Sequence, residues 1–258
     1  MEVRAHAKIN WALRVTGKRA DGYHDIETVF QTFSLHDTLT FRASERLTLT
    51  CDDPTVPTDD TNLVLRAARA GGAGNVAIEL RKHIPAGGGL GGGSSDAAAT
   101  LVAFGAEGAA LSLGSDVPFF LVGGTAYAIG RGEIITPLPP VVGVPLLLLV
   151  PEARVSTATA YAMLRRFSPP LGMARYRAMI EDDLLSHGSE LTNDFEEPLF
   201  DALPQLRHLE SRLIEAGAAW AAMSGSGSTI VGAFRDAADR DAAIRRFTDV
   251  RVERAETT

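Results

Sequence analysis

The sequence predicts an α+β fold in two lobes. Strand-like and helix-like segments are mixed along the 258 residues, without the regular strand–helix–strand repeat of a parallel α/β sheet. A proline-rich break at 136–140 separates a first half that reads mostly as strands and turns from a second half rich in helical patterns. We therefore expect two domains, 1–150 and 151–258.

Composition indicates a globular protein with an ordinary packed core. Hydrophobic residues make up 45% of the chain, which is enough to bury a core in one large or two modest domains. The formal net charge of −7 argues against a nucleic-acid-binding protein, because such domains usually carry a basic surface. The single cysteine, Cys51, cannot form an internal disulfide, and its alternating surroundings indicate a strand rather than a catalytic nucleophile.

No membrane or targeting segment is expected. The first thirteen residues carry charges and lack an apolar h-region, and the longest apolar run, 144–150, is too short to span a bilayer. The sequence therefore predicts a cytoplasmic protein without membrane or nucleic-acid partners, as a monomer or weak homodimer.

The first half is interpreted as strands joined by turns. Asp21-Gly22 is expected to reverse the chain within the turn 17–22, and Asn62 to cap a helix. The segment 105–114 is rich in glycine and alanine, and it is too short and interrupted to hold a long helix. The predicted elements are strands at 7–15, 28–33, 38–49, 76–80, 119–122 and 125–129, with a helix at 63–68 and a hairpin turn at Gly123-Gly124.

The second half combines helices with a few strands. Gly217 is expected to end the third helix of this half, and the segment 224–228 to join two strands of a hairpin. The predicted helices cover 157–167, 175–185, 203–216 and 237–247, and the predicted strands cover 144–150, 218–223, 230–234 and 250–252.

The most informative segment runs from Pro85 to Asp96. Six of the seven residues at 87–93, here called the first glycine loop, are glycine, and an alanine-rich helical pattern follows. Glycines let the backbone approach a ligand closely, and free N–H groups at a helix start favour phosphate. Ser94, Ser95 and Asp96 are suitable N-cap residues for that helix. A flexible linker is the alternative, but linkers are seldom flanked by a strand and a capped helix.

A second glycine- and serine-rich segment, 224–228, is called the second glycine loop. Neither loop is a Walker A sequence, because no Gly-Lys-Ser/Thr follows the glycines. Alone, the second loop also fits a common Gly-Ser hairpin. Together the two loops suggest two phosphate-contacting surfaces, as a phosphate donor and a phosphorylated acceptor would need.

Lys8 and Asp116 are the candidates for chemistry. Phosphoryl transfer requires positioning, charge compensation and a group that takes or orients the acceptor proton. Lys8 is a lone cation in an apolar strand, and Asp116 directly precedes an apolar segment. Taken singly, each also fits a solvent-facing lysine or a turn aspartate. A buried Lys8 in contact with Asp116 would keep the carboxylate ionised and stabilise a developing alkoxide.

Tyr23 and His24 follow the Asp21-Gly22 turn, where a planar ligand such as a nucleobase could stack, although ordinary turn packing is an equal alternative. The six histidines lack metal-ligand spacing. A Ser-His-Asp hydrolase is disfavoured because Gly225-Ser226-Gly227 lies in an apparent hairpin rather than in a strand-turn-helix elbow.

These motifs resemble those of the GHMP small-molecule kinases, and the resemblance runs through almost the whole chain. The first glycine loop specifies only the superfamily, whereas Asp-Gly-Tyr-His narrows the resemblance to a branch with a cytidine diphosphate acceptor. The motifs are Ala7-Lys8-Ile9-Asn10, residues 17–24, Asn62-Leu63-Val64, residues 85–96, residues 114–120 and residues 223–228.

The resemblance implies a two-lobed GHMP kinase fold with the active site between the lobes. The N-terminal domain would be like the second domain of ribosomal protein S5, and the C-terminal domain ferredoxin-like. The implied activity is ATP-dependent phosphorylation of a hydroxyl on a small cytidyl diphosphate substrate of non-mevalonate isoprenoid synthesis, with Mg²⁺ accompanying ATP. The alternatives are a GHMP kinase of the homoserine or mevalonate type, or a catalytically silent nucleotide-binding module on the same fold.

The resemblance also implies roles for individual residues. Asp116 would be the catalytic base and Lys8 its partner, and Ser95 is a candidate metal ligand. The ATP-binding set is Asn62, Lys82, Pro85, Gly87, Gly88, Gly89, Leu90, Gly91, Gly92, Gly93, Ser94 and Ser95. The acceptor-binding set is Asn10, Tyr23, His24, Asp116, Thr157, Tyr161, Ser224, Gly225, Ser226 and Gly227.

Two departures from the family pattern are expected to matter locally. The segment 105–113 is shorter than usual, which would remove part of the support of the nucleotide side and of Asp116. Trp11 stands where an aliphatic residue is usual, which predicts a change in packing.

Overall fold

Two β-sheets with nine α-helices form the structure, a computed structural model that describes residues 1–258. The strands are β1 (Glu2–Lys18), β2 (His24–Ala43), β3 (Thr48–Cys51), β4 (Val76–Arg81), β5 (Thr125–Gly130), β6 (Ile134–Pro137), β7 (Pro145–Val150), β8 (Trp220–Met223), β9 (Ile230–Ala233) and β10 (Arg251–Glu256). The helices are α1 (Leu63–Ala70), α2 (Gly92–Phe104), α3 (Ala110–Leu113), α4 (Val117–Val122), α5 (Thr157–Met163), α6 (Met173–Asp182), α7 (Glu196–Ala202), α8 (Pro204–Glu215) and α9 (Ala237–Ile244). Short 3-10 turns cover Glu107–Ala109 and Leu184–Glu190.

The first sheet is organised around the long strand β2. One edge of β2 pairs antiparallel with β1, whose bonded register runs from Glu2 opposite Thr40 to Lys18 opposite His24. Its other edge pairs with β5 near the start of the strand and with β4 near its end. β3 and β6 complete the sheet at its two edges. A single strand therefore holds the whole first sheet together.

The second sheet has four antiparallel strands in the order β10-β7-β9-β8. Its central strand β7 is an uninterrupted apolar run, and the side chains of 146–149 are fully buried. The domain division at residue 150 stays a prediction. Because β7 pairs only within the second sheet, we propose that the second lobe begins at Pro145.

One buried cluster joins the two sheets. It includes Trp11 on β1 and Trp220 on β8, whose ring centroids lie 4.9 Å apart. Trp11 is fully buried, and its indole N–H donates a long hydrogen bond of 3.4 Å to Gln31. The tryptophan that departs from the family pattern is thus accommodated by packing across the lobes.

Several predicted elements are confirmed. The strands at 76–80 and 144–150 match β4 and β7, and β8 pairs with β9 as the predicted hairpin. Asn62 caps α1, since its side-chain oxygen accepts a hydrogen bond from the amide of Val64. The segment 105–114 holds only a 3-10 turn and the four-residue α3.

The strand predicted at 119–122 is wrong, because these residues form α4. Pro118 occupies the first turn of this helix, where proline is tolerated, and Gly123 ends it with φ +68°. A four-residue apolar run does not distinguish a buried strand from a short helix by periodicity. The predicted hairpin through Gly123-Gly124 is therefore also wrong, and β5 pairs with β2 and β6 instead.

Other boundaries differ as well. The strand predicted at 38–49 is the end of β2 followed by β3, with a break at 44–47. β6 and α7 were not predicted, and α5 ends at Met163 instead of residue 167. The predicted N-caps Ser94, Ser95 and Asp96 lie inside α2, because the helix already begins at Gly92 with the left-handed Gly91 as its N-cap.

None of the helices is long and apolar enough to cross a bilayer.

Replacing Trp11 by alanine is expected to lower the free energy of unfolding by about 3–5 kcal/mol, because a large buried ring is lost at the junction of both sheets. Urea unfolding monitored by far-UV circular dichroism measures this. Val142→Ala, at an exposed position, should change stability by less than about 0.5 kcal/mol. A similarly small change for Trp11→Ala would contradict the shared core.

Candidate active site

A cavity of about 1240 Å³ lies where the first glycine loop meets the second. Its walls come from β1, from the turn that precedes β2, from the first glycine loop with the start of α2, from α5 and from the second glycine loop. The cavity thus collects segments from both halves of the chain. Most of the predicted site residues line it, and the exceptions are Ser95 and Ser224.

Lys8 and Asp116 are in contact inside this cavity. The Lys8 Nζ lies 3.5 Å from the Asp116 Oδ2. The lysine side chain is 5% exposed and the aspartate side chain 33%, so the cation is buried and the carboxylate faces the cavity. Burial lowers the pKa of Lys8, and the charge of Asp116 opposes that shift.

Asn10 holds the ammonium group of Lys8 in place. Both residues lie on the same face of β1, because side chains two apart along a strand share a face. The Lys8 Nζ donates a hydrogen bond of 2.8 Å to the side-chain oxygen of Asn10, Oδ1. The side-chain nitrogen of Asn10, Nδ2, donates in turn to the hydroxyl of Thr28, which donates to the backbone carbonyl of Ala12. This buried network fixes the lysine relative to the first sheet.

Asp116 directly precedes α4, and its carboxylate does not cap that helix. Its Oδ2 contacts the Lys8 Nζ instead, and the residue lines the cavity. The helix is anchored by Phe119, whose ring stacks on Phe30 of β2 at 4.7 Å. The short segment 105–113 therefore does not prevent contact between Asp116 and Lys8, because α4 has its own anchor on the first sheet.

The first glycine loop is a backbone cradle. Gly87, Gly89 and Gly91 alternate in the left-handed region, with φ of +69°, +78° and +72°. Leu90 between them is buried, and its carbonyl accepts a hydrogen bond from the amide of Lys8. Only glycine adopts this alternation without strain, so the loop presents backbone rather than side chains to a ligand.

The two glycine loops touch each other. The Ser224 hydroxyl donates a hydrogen bond of 3.0 Å to the carbonyl of Gly89, and the Thr229 amide donates to the carbonyl of Gly88. A Cβ on Gly89 would lie 2.0 Å from the Ser224 carbonyl oxygen, and one on Gly225 would lie 3.3 Å from the Lys8 Nζ. The two predicted phosphate surfaces therefore form one continuous surface next to Lys8.

Ser224 supports this surface rather than facing the cavity, since it is buried and bonded to Gly89. The other residues predicted in the second loop, Gly225, Ser226 and Gly227, line the cavity. Thr157 at the start of α5 lies across from them, with its hydroxyl 3.1 Å from that of Ser226.

Asn193 and Glu196 are supporting residues that the sequence reasoning missed. The amide nitrogen of Asn193 donates to the carbonyls of Met223 and Gly225 at 2.7 and 2.8 Å. A Glu196 carboxylate oxygen accepts from the amide of Met223, and burial raises the pKa of Glu196 to about 8. No motif marks these residues, because Asn193 lies just before α7 and Glu196 begins it, and the sequence did not predict this helix.

Lys82, one of the predicted ATP-binding residues, has its charge paired within the protein. It lines the cavity, but its ammonium group lies between the buried carboxylates of Asp37 and Asp96, and its side chain is 6% exposed. Burial opposes the shift, yet the two carboxylates raise the pKa of Lys82. The positive charge is neutralised within the protein, so only the side-chain stem remains for contact with a nucleotide.

This buried cluster supports both ends of the first glycine loop. Asp37 accepts hydrogen bonds from the amides of His83 and Ile84, which lead into the loop, and Asp96 lies on α2, which follows it. Lys82 links the two carboxylates. Burial raises the pKa of Asp96 to about 7, with Lys82 opposing that shift.

Of the other residues predicted to bind ATP, all but Ser95 line the cavity. Asn62, Pro85 and Ser94 line the cavity, as do the glycines and Leu90 of the first loop. Ser95 does not, because it is buried and its hydroxyl donates to the carbonyl of His6 at 2.6 Å. The structure therefore places the candidate metal ligand Ser95 outside the cavity. Ser94 faces the cavity, whereas Ser95, the next residue of α2, faces β1 of the first sheet.

The predicted aromatic residues do not form one group: His24 pairs with Tyr161, whereas Tyr23 lies against Arg131. His24 stacks on Tyr161 at 4.6 Å with 17° between the rings, which leaves no room for a third ring between them. Tyr23 is 54% exposed, and the Arg131 guanidinium lies 4.6 Å from its ring centroid. Burial and the charge of Lys18 lower the pKa of His24, which favours the neutral imidazole. Burial and the charge of Asp116 raise the pKa of Tyr161 to about 12.

Comparisons with known proteins agree with this arrangement. The family descriptions that match are "GHMP kinases N terminal domain" over 62–124 and "GHMP kinases C terminal" over 176–251. A 4-diphosphocytidyl-2-C-methyl-D-erythritol kinase from Chlorobium phaeobacteroides is 40% identical over 270 residues, covering 96% of this chain and 94% of that protein. One from Chlorobium luteolum is 41% identical over 271 residues, covering 95% and 93%. The chain belongs to the 4-diphosphocytidyl-2-C-methyl-D-erythritol kinase family.

A solved structure leads to the same family. The crystal structure of a 4-(cytidine 5'-diphospho)-2C-methyl-D-erythritol kinase superposes with a TM-score of 0.83 at 35% identity, covering 100% of this chain and 99% of that one. The predicted resemblance and the α+β GHMP kinase fold are therefore confirmed. As a member of this kinase family, the protein is a small-molecule kinase with ATP as its phosphate donor.

Replacing Gly89 by alanine should destabilise the protein and raise the KM for ATP. The left-handed conformation alone costs about 1–2 kcal/mol for a residue with a Cβ, and contact with the Ser224 carbonyl adds to this. Urea unfolding and steady-state kinetics measure the two effects. Gly108→Ala, with open space around it and no left-handed φ, is the matched control. Wild-type stability together with a wild-type KM in the Gly89 variant would show that the loops do not dock.

Replacing Asp96 by asparagine should flatten part of the pH dependence of stability. The carboxyl keeps its proton up to about pH 7 in the folded protein, whereas an unfolded aspartate titrates near pH 3.9. Because the folded state binds more protons between these values, the stability from this group falls as the pH rises through that window. Urea unfolding at about pH 5 and about pH 8 measures the difference. The exposed Asp239→Asn should keep the wild-type profile, and a parallel profile for the Asp96 variant would contradict the raised pKa.

Proposed function

We propose that the protein transfers the γ-phosphoryl group of ATP to the 2-hydroxyl of 4-diphosphocytidyl-2-C-methyl-D-erythritol, in the non-mevalonate route to isoprenoids. The observation that carries this proposal is the contact between Lys8 and Asp116 at the junction of the two glycine loops. The support for the acceptor is the 40% identity to kinases that bear this name.

In the proposed reaction, Asp116 takes the proton of the acceptor hydroxyl. The hydroxyl oxygen then forms a bond to the γ-phosphorus, and the bond from that phosphorus to the bridging oxygen of ADP breaks. Lys8, 3.5 Å from Asp116, stabilises the negative charge that develops on the acceptor oxygen. Its burial strengthens this interaction, because less water screens the charge.

The ATP phosphates are assigned to the first glycine loop and the start of α2. The amides of Gly92, Gly93 and Ser94 belong to the first turn of this thirteen-residue helix, where N–H groups lack partners within the helix. The left-handed glycines before them let the phosphates approach the backbone. Among the other predicted residues, Asn62 and Pro85 line the same cavity, and the Lys82 stem is available on the adenine side.

Mg²⁺ fits this site as an ion held mainly by the phosphates. No group of three or more His, Cys, Asp or Glu side chains forms a protein-built metal site, and Mg²⁺ commonly keeps few protein ligands beside ATP. We propose Ser94 and Asp116, which both line the cavity, as the protein groups nearest to the ion, in place of Ser95. When bound, Mg²⁺ neutralises phosphate charge.

The acceptor is assigned to the remaining part of the cavity. Tyr23, His24 and Tyr161 would recognise the cytosine, and the neutral His24 imidazole offers both a donor and an acceptor for its polar edge. Thr157, Gly225, Ser226 and Gly227 line the side next to the second glycine loop, where the diphosphate would lie. Asn10, bonded to Lys8, lies beside the reacting hydroxyl. We further propose that the enzyme acts in the cytoplasm, as a monomer or weak homodimer without nucleic-acid partners.

The two alternatives make different predictions for a substrate panel. A kinase of the homoserine or mevalonate type would phosphorylate homoserine or mevalonate in preference to the cytidyl substrate. A catalytically silent module would bind ATP without releasing ADP. The Lys8–Asp116 contact favours catalysis over the silent module, because a binding module has no use for a paired base and cation.

Asp116→Asn is expected to reduce kcat by about 100-fold or more, because the asparagine cannot take the proton from the acceptor hydroxyl. A coupled assay of ADP release with the cytidyl substrate measures kcat, and calorimetric titration should show nearly unchanged ATP affinity. Asp241→Asn on α9, away from the cavity, is the control with normal turnover. Near-normal turnover in the Asp116 variant would exclude its role as the base.

A further inference from the structure

Arg131 is a cation of the cavity that the assignments above do not use. It lies in the three-residue turn between β5 and β6, and its side chain lines the cavity with 24% of its surface exposed. Its guanidinium donates no hydrogen bond, and its charged partner Glu133 is at 3.8 Å, where the carboxylate also accepts from the Arg131 backbone amide. The guanidinium N–H groups therefore have no hydrogen-bond acceptor within the protein, and the exposed part of the group faces the cavity.

The position of Arg131 is fixed between the two ends of the acceptor site. At one end, its guanidinium lies 4.6 Å from the ring centroid of Tyr23. At the other end, the next residue is Gly132, where a Cβ would lie only 3.8 Å from the Asp116 Oδ1. The turn that carries Arg131 thus extends from the proposed cytosine-binding aromatic to the proposed catalytic carboxylate. Tyr23 remains 54% exposed with Arg131 in place, so its ring keeps an open surface for a base.

Charge distribution in the cavity favours the same position. Four cationic side chains line it: Lys8, Lys18, Lys82 and Arg131. Lys8 is paired with Asp116, and Lys82 is neutralised by two buried carboxylates. An acceptor diphosphate carries negative charge that these two lysines cannot compensate. Between the remaining two, Arg131 has the fork geometry that binds phosphate oxygens in pairs and is held by Tyr23.

We infer that Arg131 binds the diphosphate of the acceptor and selects a cytidine diphosphate substrate over an uncharged alcohol. This inference rests on the proposed function, since it names a residue for the acceptor in that reaction. A substrate with its base on Tyr23 and its hydroxyl at Asp116 has its diphosphate between these residues, where the guanidinium would add a cation to the contacts from the second glycine loop. Arg131 therefore determines specificity through charge, whereas the aromatic residues determine it through the base.

Binding of CDP and of cytidine tests the inference without requiring turnover. Both are titrated calorimetrically into protein saturated with Mg²⁺ and a non-hydrolysable ATP analogue, so that CDP cannot occupy the ATP side. In the wild type, CDP should bind more tightly than cytidine. Arg131→Met should reduce this preference about 10-fold or more, as expected for loss of a charge-assisted contact, and Arg131→Lys should retain part of it. Because both probes carry the base, a disturbed Tyr23 would weaken both equally and leave their ratio unchanged.

Kinetics and controls complete the test. Arg131→Met should raise the KM for the cytidyl substrate about 10-fold while the KM for ATP stays within about twofold. Arg42→Met, which removes an exposed arginine paired with Glu79 in the first sheet, should leave both constants unchanged. An unchanged CDP-to-cytidine ratio in Arg131→Met, or a loss seen only in Lys18→Met, overturns the inference.

The same measurements distinguish a failure of the Arg131 inference from a failure of the proposed function. If the wild type turns over ATP with the cytidyl substrate but Arg131→Met keeps the wild-type ratio, the inference alone is wrong. If the wild type does not phosphorylate that substrate but its preference for CDP depends on Arg131, the proposed function is wrong and the diphosphate site stands.

Discussion

The close approach of the two glycine loops is the contact on which the rest of the site depends. The backbone of Gly88 and Gly89 bonds to Ser224 and Thr229 with no space for a side chain between them. The same docking brings the second loop against Lys8, so the donor side, the acceptor side and the reacting pair become one surface. Backbone-to-backbone contact leaves little freedom in the distance between the lobes, which suits a reaction that depends on positioning rather than on covalent chemistry.

Buried polar and ionisable groups support this contact. Lys82 between Asp37 and Asp96 holds the entry and exit of the first glycine loop, and Asn193 with Glu196 holds the second. Partnerless buried charges are costly, so these groups stay only where hydrogen bonds and opposite charges compensate their burial. The glycine loops can be poor in side chains because their neighbours supply the polar partners that fix them.

The sequence predicted what depends on local chemistry and missed what depends on tertiary context. The first glycine loop, the Asn62 cap and the buried strand β7 follow from residue types at short range, and the structure agrees. Lys8 and Asp116 came from motifs far apart in the chain, and their contact needed the fold to join them. The short apolar run of α4 fits strand or helix equally, so only its packing on β2 decides. Ser95 was misplaced, and the pairing of the Lys82 charge was not foreseen, because spacing does not reveal which side chains a neighbour covers.

The pairing of β1 with β2 contains three register shifts, and two of them bracket residues 7–10. Each shift re-aims the side chains that follow it, since neighbouring positions on a strand face opposite sides of the sheet. The pairing register of the stretch that carries Lys8 and Asn10 is therefore set separately from the register of β1 before and after it. A one-residue shift of this stretch would turn the Lys8 side chain toward the opposite face of the sheet and a hydrophobic side chain toward the cavity. The orientation of Lys8 and Asn10 toward the cavity thus depends on the register of this stretch, which insertions and deletions disturb more than substitutions do.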